Sequence, residues 1–382
     1  MQSKKPRRIE YLFINLFVFA LAGLLYLSFS WLGFLEPIRS AERDFKVTDL
    51  YYSGLPKPAD APNDIVIVNV GHCCRYQIAR MIDSVQNYHP RVIGLDILFS
   101  SRSDTGNSYL KAVFNRYSNY VISNRGKFEI SEKGAAPDTV LVREDSGYAN
   151  LAGIDKEHAT VRYFYPYFNK RMAFATAVIK KYEPTLALHL DSNRNESCEI
   201  RYTGGESAFY RLDYSSLLAG SIDSNRIKDH IVLFGFTGAG PEDSNARHYT
   251  IDEDKLFTPL NDRLSGRSYP DMYGVIVHAN ILRMMLRGEY SMVVPFWGIW
   301  LITFLISWLL IPFFCKWYYT KGAWVHVLSR LLQLGVCAVL LAGSLLLYHY
   351  ARIRIEPLIP VFVVLLLVDF ILFYNLFRRI PE

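Results

Sequence analysis

Four apolar stretches decide what this chain can become. They run roughly over residues 11–35, 294–314, 325–348 and 357–377, and each reaches the about 20 mostly apolar residues needed to span a bilayer. Between the first and second lies a mixed-polarity segment of domain size, residues 36–292. The arrangement predicts a membrane protein with one large inserted domain, a short basic N-terminus over 1–10 and a tail over 378–382. The basic start (Lys4, Lys5, Arg7, Arg8) suits a secretory signal as well as a retained anchor. The apolar part that follows is longer than the roughly 7–15 residues of a signal core. "SFSWLGFLEP" offers no small-x-small cleavage site, so a retained anchor is expected.

Orientation follows from the short flanks, because Lys and Arg are held on the cytoplasmic side. The N-terminus, the segment with Lys316 and Lys321, and the end with Arg378 and Arg379 share one side if there are four spans. The opposing short loop holds only Arg352 and Arg354. Both termini are therefore expected in the cytoplasm of a bacterial-type inner membrane, with residues 36–292 outside it. The net charge of +6 belongs largely to these flanks. Within 36–292 acids and bases nearly cancel, so the charge obeys topology and does not advertise nucleic acid.

The insert alternates strand-like and helix-like runs. "DIVIVNV" (64–70), "VIGLDILF" (92–99), "NYVIS" (119–123) and "DHIVLFGF" (229–236) read as buried strands. Residues 76–88, 107–117, 171–182 and 274–288 have helical spacing; Ile78, Met81, Ile82 and Val85 share one face of the first. Such alternation predicts an α/β domain with a mostly parallel sheet and helices on its faces. "CEIRYTG" and "AFYRLDY" read as a hairpin around "GGES". The helix 274–288 is expected to run nearly unbroken into the second span.

The order of these segments resembles a known family. A single anchor precedes "DIVIVNV" and "VIGLDILFS"; then come "VRYFYPYF…AFATAV", "IVLFGFTGAG" leading to "FTPL", and "MYGVIVHANILRMMLRG" entering three closely spaced spans. The chain is similar in this to the CHASE2 domain, an extracytoplasmic sensory module of bacterial receptors. The resemblance implies a sensor or receptor engaged in signal transduction. CHASE2 proteins commonly carry a kinase or cyclase domain after the last span, and none follows here. The resemblance thus implies a sensing part whose signal passes to a separately encoded protein partner. An assembly subunit whose domain docks a protein is the alternative.

Candidate chemistry is sparse. Asp96 stands in the second half of a buried strand, where it serves a turn, a ligand or a reaction. His72, Asp96 and Thr237 are expected to rim one pocket at the carboxyl ends of the strands, with Asp243 also placed to hold a small ligand. "FGFTGAGPED" (234–243) does not open into a helix and carries two acids, so a tight turn is expected there and no phosphate loop. His278 has apolar neighbours and reads as a buried, hydrogen-bonded histidine. No G-x-S-x-G, H-E-x-x-H or Walker sequence occurs, so no enzyme, cofactor or metal is expected. Cys73 or Cys74 bridged to Cys198 is one option in an oxidising compartment, and no bridge is the other. In the apolar region Ser307, Gln333 and Asp369 fall at similar depth, Asp369 roughly 12 Å from the inner end of its span. They are expected to form a polar layer, with Arg330 reaching inward.

Overall fold

The structure is a computed structural model, which describes residues 8–31, 46–54, 64–99, 106–124, 146–151, 160–190, 196–220, 222–238, 254–261, 270–318 and 323–377. It divides into two units, Met1–Tyr51 with Ser291–Glu382, and Tyr52–Tyr290. In chain order the helices are α1 (Arg8–Trp31), α2 (Val47–Ser53), α3 (Arg75–Gln86), α4 (Asn107–Arg116), α5 (Phe174–Tyr182), α6 (Tyr214–Leu218), α7 (Ser224–Ile227), α8 (Gly274–Arg287), α9 (Phe296–Tyr318), α10 (Ala323–Ala351) and α11 (Leu358–Phe377). The strands of the main sheet are β1 (Ile65–Asn69), β2 (Val92–Leu95), β3 (Tyr120–Asn124), β4 (Ser146–Tyr148), β5 (Tyr210–Leu212) and β6 (Ile231–Gly235).

All five pairings in the main sheet are parallel, in the order β4-β3-β2-β6-β1-β5. Parallel strands need crossovers, and the crossovers cover both faces. Alternation along each strand sorts the layers. Val66, Val68, Ile93, Leu95, Val232 and Phe234 face one core with Ile78, Ile82 and Val85 of α3, Leu110 and Phe114 of α4, Leu217 of α6 and Ile227 of α7. The opposite residues face α5 and α8. A Cβ at Gly94 would meet Phe174 and Val178 of α5, and one at Gly235 would lie 2.5 Å from Cβ of Val275. Glycine at these two points lets the helices approach the sheet closely.

The hairpin expected around "GGES" does not form. Cys198–Glu199 pairs antiparallel with Tyr163–Phe164, whereas Tyr210–Leu212 joins the main sheet beside β1. The cause lies in α8, which holds the intervening chain from a distance. Asn280 accepts hydrogen bonds from Thr203 N and its hydroxyl at 2.8 and 3.2 Å and donates to the Gly204 carbonyl at 3.0 Å. Arg283, 1% exposed, forms a bidentate pair with Asp64 at 2.6 and 2.7 Å and donates to the Ala208 carbonyl and the Thr203 hydroxyl. Its guanidinium also stacks 3.9 Å over the Phe209 ring. These contacts turn the segment into a crossover.

Helix α8 ends more sharply than its pattern predicts. Gly288 has φ +60° and donates its N–H back to Met284 and Met285, the left-handed closure that glycine favours. Pro295 then precedes α9, so the near-unbroken rod is corrected to two helices with a non-helical connection.

In the other unit α1, α9, α10 and α11 pack together around Ile14, Val18, Ile311, Phe314, Val363, Leu367 and Phe370. Phe296–Trp317 and Trp324–Ala351 are long and apolar enough to cross a membrane; Ile9–Leu25 and Leu358–Tyr374 are shorter apolar helices. Many large side chains point outward, among them Leu301, Leu309, Phe313, Leu331 and Val339, while Asn15, Ser307 and Gln333 are buried. Apolar outside and polar inside is the inverse of a water-facing bundle.

Candidate functional site

In a parallel sheet the loops at the carboxyl ends of the strands form the natural site, above all where the strand order changes direction. Here β1 and β2 are separated by β6, and the chain runs from β1 through β2 and β3 to β4 at one end before crossing back to β5 on the far side of β1. A cavity of about 340 Å³ opens between the carboxyl ends of β1 and β5. Asn69, Gly71, His72, Cys73 and Gln77 line one side; Asp213, Tyr214, Ser215 and Leu218 line the other.

One residue holds this edge together. Asn69 closes the apolar run of β1 and is 3% exposed. Its Oδ1 accepts from the N–H groups of Thr237 (2.9 Å) and Gly71 (3.1 Å). Its Nδ2 donates to Asp213 Oδ1 (3.0 Å) and to the Gly238 carbonyl (3.1 Å). All four bonds tie the ends of β1, β5 and β6 to one amide, so the cavity wall and the β6 end share a common strut. Across the cavity Asp213 also accepts from Arg211 Nη2 at 3.0 Å, while Gln77 accepts from the Cys74 N–H at the start of α3.

A second group of polar side chains lies on the α5 and α8 face of the same edge. Burial raises the pKa of Asp96; Asp254 adds to the rise, while His278 and the Ser123 hydroxyl oppose it. Burial lowers the pKa of His278, with Asp96 and the Ala149 carbonyl pulling the other way. Each therefore prefers to be neutral while stabilising the other's charge. The Phe174 and His278 rings meet edge to face, 5.2 Å between centroids. Thr237 Oγ1 is buried without a hydrogen-bond partner among the described residues.

The expected pocket is thus divided. His72 is exposed on the cavity lip, with its ring 5.3 Å from that of Phe236. Asp96 joins His278 and Ser123 instead, because its register points it opposite to Leu95. Thr237 bonds to Asn69 through its backbone and is not part of the cavity wall. Asp243 lies outside the described residues. Sequence alone does not mark Asn69 and Asp213 as site residues, although each is a polar residue closing a short β-rich run, the same signal that marks Asp96.

Of the two options for the cysteines of this domain the structure has the unbridged one: Cys73, Cys74 and Cys198 are free. Cys73 and Cys74 sit between β1 and α3 at the carboxyl edge. Cys198 acts electrostatically on Tyr290, just past the end of α8 where Arg283 meets Asp64, which places it at the amino edge. Burial, with Glu196 adding, lifts the Cys198 thiol to about 11. The polar layer also divides. Arg330 makes a bidentate pair with Asp369 (2.6 and 3.2 Å) and donates to Gln333, which donates to the Val364 carbonyl. Ser307 instead donates to Asn15 at 2.7 Å.

A parallel α/β domain with a carboxyl-edge cavity, linked in one chain to long apolar helices, has the build of a membrane-associated binding module. The model of the CHASE2 domain matches residues 24–314, and the chain belongs to this family of sensory domains. No curated protein and no solved structure matches the chain.

Proposed function

We propose that this protein is an extracytoplasmic sensor in the bacterial inner membrane, with four spans and both termini cytoplasmic. A small ligand enters the carboxyl-edge cavity, and the change passes through the spans to a separately encoded partner. It is a binding module and not an enzyme. The observation that carries this reading is the single buried amide, Asn69, which joins both walls of the cavity to the end of β6. A ligand that moves either wall must strain or relax those four bonds, which gives occupancy a differential effect on two arrangements of the domain.

The second unit offers a receiver. Met292 and Val294 donate backbone hydrogen bonds at 2.9 and 3.0 Å to Arg352 and Arg354 in the turn between α10 and α11. Lys46, near the end of the preceding segment, lies 3.9 Å from Glu356 of the same turn. Both covalent connections of the sensory domain are therefore fastened to one turn.

Hydrogen–deuterium exchange on the full-length protein in nanodiscs tests transmission. The cavity is filled by Ser215→Trp, at an exposed lining position. The expected result is an altered exchange rate at Met292 and Val294 as well as at 69–74. Unchanged exchange at 292–294, with the cavity demonstrably filled, contradicts the reading.

A further inference from the structure

The chemistry of the cavity wall selects among ligand classes, given that the cavity is the sensing site proposed above. Among the described residues its lining holds no lysine and no arginine. Among these residues a phosphate or carboxylate ligand would meet one carboxylate, Asp213, and no permanent cation, with the His72 imidazole on the lip as the one titratable base, so anions are disfavoured. The Asp213 charge is itself already engaged. Its Oδ1 accepts from Arg211 and from Asn69, and Arg211 lies 3.8 Å from Glu206 on its other side. A cationic ligand would have to compete with a guanidinium held two residues away on the same strand.

What remains is a set of neutral and acceptor groups facing one space. Asp213 Oδ2, the Tyr214 hydroxyl, the Ser215 hydroxyl and Gln77 Nε2 have no hydrogen-bond partner among the described residues. Together they offer a carboxylate acceptor, an amide donor and two hydroxyls that act either way. Vicinal hydroxyl groups, each a donor and an acceptor, match such a set. Val70 and Leu218 add apolar wall, and Tyr214 adds aromatic surface. The volume of about 340 Å³ stands at the lower end of ligand pockets, roughly 300–1,000 Å³.

We infer that the cavity between the ends of β1 and β5 binds a neutral, polyhydroxylated small molecule of mono- to disaccharide size. The acceptor is Asp213, pre-neutralised by Arg211; Gln77, Tyr214 and Ser215 complete the hydrogen bonding.

The test is calorimetric titration of the full-length protein in nanodiscs at fixed ionic strength. The probes are D-glucose and sucrose as neutral polyols, putrescine as a cation and inorganic phosphate as an anion. Sugars at high concentration stabilise proteins by exclusion from their surface, so only saturable heat at low millimolar concentration or below counts as binding. Expected is saturation by at least one sugar, weakened at least tenfold by Ser215→Trp and also by Gln77→Leu, with neither ion saturating. Saturable putrescine or phosphate binding that Ser215→Trp abolishes overturns the ligand class and leaves the sensor reading standing. Sugar binding unaffected by both substitutions, or saturation by no probe, overturns the assignment. Failure of the sensor reading is separately visible as unchanged exchange at 292–294.

Discussion

Replacing Asn69 by aspartate keeps the shape of the strut and reverses half of its chemistry. Both acceptor bonds, from Thr237 N and Gly71 N, survive. The two donor bonds become repulsive, because an oxygen now faces Asp213 Oδ1 at 3.0 Å and the Gly238 carbonyl at 3.1 Å. Burial at 3% exposure and the neighbouring carboxylate both raise the pKa of the introduced group. The sign follows from linkage. A carboxyl with a raised folded-state pKa contributes no penalty below its unfolded value of about 4. Above that value the unfolded chain ionises while the folded site does not, and stability falls by about 1.4 kcal/mol per pH unit until the folded pKa is reached. If that pKa exceeds 7, the loss at pH 7 is about 4 kcal/mol, a large part of the roughly 5–15 kcal/mol of a typical domain. At about 2–4 °C per kcal/mol for a domain of this size, Tm drops by about 8–16 °C. Thermal unfolding of purified full-length Asn69→Asp and wild type, followed from pH 4 to 8, checks this. Expected is the smallest deficit at pH 4, where the protonated carboxyl still donates one of the two bonds, and a deficit that grows with pH. Asn69→Ala orphans buried N–H groups and should cost about 2–4 kcal/mol at every pH. A deficit for Asn69→Asp that is independent of pH, or absent, refutes the role given to this amide.

Four further outcomes are expected. Asp96→Asn removes a group whose pKa is raised by burial and should stabilise the domain above about pH 4, where the unfolded carboxyl ionises first. His278, lowered by burial, costs stability as pH falls below about 6.5, so His278→Gln should flatten the acid limb in the same unfolding series. Arg283→Met leaves Asp64 with only Arg287 at 3.4 Å and frees the 203–208 crossover; a loss of about 3–5 kcal/mol is expected by denaturant titration. Gly235→Ala drives a methyl into Val275 and should cost about 1–3 kcal/mol, largely recovered in the double variant with Val275→Ala.

Elements whose signal is local were legible in the sequence. The apolar runs of β1, β2, β3 and β6 and the helical stripe Ile78, Met81, Ile82 and Val85 predict the parallel sheet and its first covering helix at nearly the right bounds. β2 is shorter than its apolar run, ending at Leu95 just before Asp96. Sequence misplaces the β5 segment because the turn chemistry of "GGES" is local, whereas the bonds that reroute it come from Asn280 and Arg283 more than seventy residues away. Gly288 in "LRGEY" carried the stop signal for α8, but the apolar run beyond it suggested continuity. Asp96 and His278 were each visible; their pairing was not, since it depends on α8 packing over β6, the neighbour of β2, with Val275 against Gly235. Asn69 looks like one polar residue in a strand, and only the fold gives it four partners.

Partner capture tests the central claim, that this is the sensing part of a receptor, most directly. The full-length protein is cross-linked in its native host, purified gently, and what accompanies it is identified by mass spectrometry. Wild type, Ser215→Trp and Asp369→Asn are compared; the last breaks the Arg330–Asp369 pair, whose side chains are 48% and 38% exposed on the apolar unit. The account expects a protein with a signalling domain, captured with wild type, changed in yield by Ser215→Trp and lost with Asp369→Asn. A stable envelope complex recovered equally from all three contradicts it, and makes the chain a structural subunit with Asp369 as an internal strut.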